Sequence, residues 1–189
     1  MNNEKDNVYD LVEDFYAHDE GWNTLLRQEY AEGFLRMEAW KGKKNSDLYR
    51  SWDNLTMLCL YLGSAETFLG DMNADDFIDC IAWCGRNISE FTPDYKNTQD
   101  FLETCDGLFK YLKGKNAISN DTVPGTAAEI LLQEGKMNII LPDGSFDEAN
   151  AERAWNATPD IPAKIFLNIG ERLQLSLIHI SEPTRQEAI

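Results

Sequence analysis

Residues 48–62 carry Leu48, Trp52, Leu55, Cys59 and Leu62 at alternating spacings of four and three, with Met57, Leu58, Leu60 and Tyr61 widening the stripe. That spacing puts one broad apolar face on an α-helix and is incompatible with the period of two that a half-buried strand requires. A helix apolar over so much of its circumference must be covered on several sides. The sequence therefore predicts a central helix over about 47–62, capped by Ser46 and ended by Gly63, surrounded by others.

The neighbours show the same cadence. Val8, Leu11, Val12 and Phe15 predict a helix over 5–17, which Asp19, Glu20 and Gly21 interrupt. Trp22, Leu25, Leu26, Tyr30, Phe34 and Met37 predict a second over 22–40. Asn73 caps a fourth over 74–88, with Asp75 and Asp76 in its first turn, where the helix dipole favours carboxylates. Thr92 and Pro93 start a fifth, whose apolar row is Phe101, Cys105, Leu108 and Leu112. Gly107 inside it costs roughly 1 kcal/mol relative to alanine, which a close helix approach would explain.

Beyond Gly114 the pattern changes. Residues 126–133 read as a short helix, 137–141 as a strand before the turn Pro142 to Ser145, and 146–155 as another helix. The expected fold is all-α, a bundle of about five helices over 1–115, followed by a short mixed α/β segment over 120–174.

The chain has a formal net charge of −16, with 33 acidic against 17 basic residues. Such a balance disfavours nucleic acid as a partner, because phosphate neutralisation supplies most of the affinity in that class. A hydrophobic content of 43% is enough for a packed core, so the charge does not imply disorder. The start MNNEKDN lacks the basic and apolar regions of a signal peptide, and no run reaches the length of a membrane span. The expectation is a cytoplasmic protein with no membrane association.

Cys59, Cys80, Cys84 and Cys105 all lie within apolar helical stripes, where they read as small core side chains and reduced thiols. Four thiols could satisfy a structural zinc, but such sites use Cys-x-x-Cys pairs on tight turns, and Cys80 and Cys84 stand a helical turn apart. The segment DMNADD (71–76) offers calcium-loop oxygens at Asp71, Asn73 and Asp75. It has Asp76 where the sixth position needs glycine and Ala82 where the twelfth needs glutamate, so it reads as helix capping. His18 stands without a nucleophile partner, and no phosphate-cradling glycine loop is present. No catalytic residues, metal ligands or cofactor are expected.

The remaining candidates are contacts to a partner. Lys41, Lys43 and Lys44 form the tightest basic cluster, Lys110, Lys113 and Lys115 a looser one, and Trp40 adjoins the first. Trp40, Lys41, Lys43, Lys44, Lys110 and Lys113 are the expected partner or phosphate contacts. Alternatively, Lys41 to Lys44 form a solvated interhelical loop, and Lys110 and Lys113 oppose a helix dipole.

From Leu48 to Asn120, the succession LGDMNADDFIDCIAW and SEFTPDYKNTQDFLETCDGLFKYLKGKNAISN resembles the SAM-like helical core-binding domain of tyrosine recombinases. Phe109, Tyr111, Leu112, Ile118 and Asn120 stand at the places of that family's FxYL…I…N pattern. The resemblance implies a helical nucleic-acid-binding domain, although the family's domain is basic and this chain is acidic. A similar cadence occurs in helical regions upstream of SEC-C zinc motifs in bacterial proteins. Neither resemblance supplies catalytic or ligand residues. The run LSLIHISEPTR (175–185) resembles a translation of the mosaic-end and adapter DNA of transposase-based sequencing libraries. It implies that 175–189 is a non-native tail and that the chain is truncated after Gln174. The functional expectation is a non-catalytic protein-interaction module of a bacterial cytoplasm, the N-terminal part of a longer chain. The alternative is a divergent SAM-like nucleic-acid-binding domain.

Overall fold

The computed structural model describes residues 7–133. Within them lie seven α-helices and one 3-10 turn, and no strand. The expected strand at 137–141, the helix at 146–155 and the adapter-like tail lie outside the described residues.

α1 (Val8–His18) starts where Asn7 accepts a hydrogen bond from the Tyr9 amide and the Asp10 carboxylate reaches back to the Asn7 amide. The single helix expected over 22–40 is two, α2 (Trp22–Leu25) and α3 (Gln28–Trp40). The break has a tertiary cause. Leu26 turns to an extended conformation, and its carbonyl accepts the buried Tyr16 hydroxyl at 2.7 Å. The Asn23 side chain takes the Gln28 amide, one of the orphan donors of the new helix. Apolar spacing carries through this break because Leu25 and Leu26 still face inward, so periodicity alone does not reveal it.

α4 (Asn45–Ala65) is longer than expected at both ends. Lys44, not Ser46, holds the N-cap position, with no side-chain cap bond. Gly63 stays helical, and the chain turns at Glu66, whose φ of 49° is left-handed. A 3-10 turn (Leu69–Asp71) leads to α5 (Ala74–Asn87), where Asn73 and Asp76 complete a reciprocal capping box. The side-chain oxygens of Asn73 and Asp76 in the DMNADD segment are thus engaged in starting a helix. α6 (Tyr95–Gly114) is capped by Asp94, two residues after the expected Thr92. Thr92 instead offers its carbonyl to the Asn97 side chain. α7 (Val123–Gln133) begins three residues earlier than expected.

α4 packs against α1, α2, α3, α5 and α6, and every residue from Asn54 to Leu62 is buried. This is the broad stripe of the sequence realised as a central pillar. α6 lies alongside it, fixed by a buried polar tie. The Asn54 amide donates to the Thr104 hydroxyl at 3.0 Å and to the Asp100 carbonyl at 3.2 Å. α7 packs on α5 and α6, so residues 123–133 continue the same core. Close approach explains Gly107: a Cβ there would stand 3.2 Å from the Phe34 ring.

Candidate functional site

The end of the bundle where α3 passes into α4 holds most of the residues that the sequence nominates. Trp40, on the last turn of α3, is 89% exposed, the highest value among the exposed large apolar side chains of the described residues. Its neighbour Glu38 points the other way and is buried. The α3–α4 loop then folds two lysines onto that carboxylate. Lys41 Nζ meets Glu38 Oε1 at 3.0 Å, and Lys43 Nζ meets Oε2 at 2.8 Å. Lys43 also donates to the Ser51 hydroxyl at 3.2 Å, which holds the loop against the second turn of α4.

Burial alone would raise the Glu38 pKa. Hydrogen bonds from Lys43 and Lys41, with the charges of both, outweigh it and hold the carboxyl below its ordinary value. Glu38 is therefore ionised at neutral pH and shared between two cations.

A second shared carboxylate, Asp100 on α6, is reached from Arg50, the residue before Ser51 on α4. Asp100 Oδ2 accepts Arg50 Nη1 at 3.2 Å and Lys96 Nζ at 3.0 Å. The Lys43–Ser51 bond and the Arg50–Asp100 pair link the two clusters through adjacent residues of α4. Four cations thus rest on two carboxylates at one end of the molecule. Asp53 bounds this region. It keeps solvent access, but crowding by surrounding protein, reinforced by the charge of Glu90 and opposed by Arg50, pushes its pKa up to about 6.

Lys110 and Lys113 do not join this surface. Lys110 pairs with Asp106 at 2.6 Å, and Lys113 donates to the Ser119 carbonyl as the chain leaves α6. Asp100 and Lys110 are ten residues apart on one helix, about 15 Å along its axis. Lys44 is exposed where α4 begins. Sequence reasoning missed Arg50 and Lys96. The i,i+4 spacing of Lys96 and Asp100 was a readable local signal. Their meeting with Arg50, across fifty residues, was not.

The four cysteines are buried free thiols. Burial pushes Cys59 up to about 12, and it raises Cys80 and Cys105 well above the ordinary thiol value. The surroundings of Cys59, Cys80 and Cys105 suppress the thiolate that metal binding and nucleophilic chemistry need. Among the described residues no group of three or more His, Cys, Asp or Glu is placed to hold a metal ion. No helix among them is long and apolar enough to cross a membrane.

No protein-family model, curated protein or solved structure matches the chain.

Proposed function

We propose that the chain is a non-catalytic helical interaction module that meets a protein partner through the Trp40 end of the bundle. The exposure of Trp40 carries this reading. Tryptophan is among the residues that dominate interface energetics, because a large ring gains most when taken out of water. Here it stands on the last turn of a helix whose following loop is held by Glu38, Lys41, Lys43 and Ser51. Such an anchor loses little freedom on docking, which favours affinity. The reduced, buried thiols suit the cytoplasmic setting that accompanies this reading.

The net charge of −16 favours a protein partner over the nucleic acid of the SAM-like alternative. An extended polyanion approaches the whole acidic surface, not the local lysines alone.

The test is affinity capture from cells that make the chain, comparing the wild type with Trp40→Ala. A protein retained by the wild type and lost from the variant is the expected result. If every retained protein is indifferent to Trp40, this surface is not the docking site.

A further inference from the structure

Deepening that reading, and resting on it, we propose that the Trp40 surface receives a short acidic segment of the partner, with apolar side chains against Trp40 and carboxylates on Lys41, Lys43 and Lys44. The first support is stoichiometry. Glu38 is one carboxylate shared by two ammonium groups, and Asp100 is one carboxylate shared by Arg50 and Lys96. The Glu38 cluster keeps one positive charge in excess, whereas Asp53, facing Arg50, offsets that of the second cluster. An ammonium has three donors, and Lys41 directs one of them to Glu38, so it can accept a second carboxylate without releasing the first.

The second support is exposure. The side chains of Lys41 and Lys96 are 55% and 68% exposed, whereas Glu38 and Asp100 lie beneath them. The cations thus form the outer layer and the carboxylates the inner one. An incoming ligand meets positive charge first, although the chain as a whole is strongly acidic.

Size selects the ligand class. Charges in water are screened over about 8 Å at physiological ionic strength. A short peptide lying across the α3–α4 loop feels mainly the local lysines. A nucleic acid or an anionic bilayer extends well beyond that distance and meets the acidic remainder of the surface. A segment with apolar and acidic side chains close together suits a ring followed within four residues by Lys41, Lys43 and Lys44.

The experiment is fluorescence anisotropy with the full chain and a fluorescein-labelled peptide of alternating glutamate and leucine. The same peptide with glutamine for glutamate, a single-stranded oligonucleotide and phosphatidylserine vesicles are the comparators. The expected result is saturable binding of the acidic peptide that weakens with added salt and is absent for the glutamine peptide. Trp40→Ala and Lys44→Gln, both at exposed positions, should each weaken it about five- to tenfold. Glu38→Gln, if folded by circular dichroism, should tighten it, because two ammonium groups are then released from their internal carboxylate. No binding at low salt, equal binding of the glutamine peptide, indifference to Trp40→Ala, or tighter binding of oligonucleotide or vesicles would overturn the proposal. Loss of peptide binding alongside a Trp40-dependent protein partner would remove the acidic-segment inference and leave the module reading standing. Failure of both would remove both.

Discussion

The Tyr111 hydroxyl occupies the position that a Cβ on Gly33 would take, so α3 and α6 meet at a point that admits no side chain on α3. Tyr111 is also packed beside Phe34, with ring centroids 6.3 Å apart, and beneath the Lys115 ammonium at 5.5 Å. In Gly33→Ala the ring must swing away from both. Overpacking of this kind costs about 1–3 kcal/mol, against which the better helix propensity of alanine returns about 1 kcal/mol. The expected net effect is destabilisation, read as a lower midpoint in urea. Tyr111→Phe removes the nearest clashing atom, so a double-mutant cycle should show a smaller cost for Gly33→Ala in that background. An equal cost in both backgrounds would mean that the contact is not the cause.

The thiols should report on opening of the core. With Cys59 pushed up to about 12 and no solvent path to its sulfur, the reactive thiolate is scarce at pH 8. The expected outcome is negligible labelling by a maleimide or by Ellman's reagent in native buffer. All four cysteines should label together across the denaturation transition. Fast labelling of any one under native conditions would show that its helix opens locally.

Asp53 should make stability depend on pH in the direction opposite to most carboxylates. Its folded pKa, about 6, lies above the unfolded value of about 3.9. A raised folded pKa means that the contribution is fully present below the unfolded value and is lost as pH rises through the folded one. The loss should therefore run from about pH 4 to just above 6. Asp53→Asn should flatten the stability profile over that window and be more stable than the wild type at pH 7. An unchanged slope would show that Asp53 titrates normally. Because Asp53 keeps solvent access, the effect should be modest.

The helical class and the capping of α5 were legible because each is written locally. The stripe on α4 needs only the spacing from Leu48 to Leu62, and the start of α5 needs only Asn73 and Asp76. The break after Leu25 was illegible because its cause, the Tyr16 hydroxyl on the Leu26 carbonyl, comes from α1. The end of α4 was misplaced for a related reason. Glycine is free to end a helix, but Gly63 faces α2, where an added Cβ would stand 3.4 Å from a Leu25 methyl and 3.5 Å from the Trp22 ring, and the helix runs on beneath them. At the candidate surface, the sequence nominated Trp40 and the Lys41 to Lys44 cluster from their proximity. By its place in the 22–40 pattern Glu38 reads as an outward charged residue, whereas it is buried and the loop folds both lysines back onto it. Lys110 and Lys113 were grouped with that cluster by charge alone, and the packing of α6 carries them away.

Glu38 is the residue where stability and binding should part. Its carboxylate is buried and holds two lysines, so Glu38→Gln removes a charge-assisted hydrogen-bond pair and leaves Lys43 beside Ser51 without its main partner. A hydrogen bond to a charged group contributes about 1.5–3 kcal/mol, and some of that is recovered because both lysines retain access to water. A loss of about 1–2 kcal/mol is expected, measured by urea denaturation at neutral pH. The pH sign is that of a depressed carboxyl: the stabilisation is present above about pH 4.5 and is lost as pH falls through the lowered folded value. The variant should therefore converge with the wild type in acid. Trp40→Ala, in contrast, should leave the midpoint within about 0.5 kcal/mol of the wild type, because it removes almost no buried surface. If Trp40→Ala were the destabilising change and Glu38→Gln the neutral one, the ring would be supporting the fold, and the assignment of this surface to a partner would lose its basis.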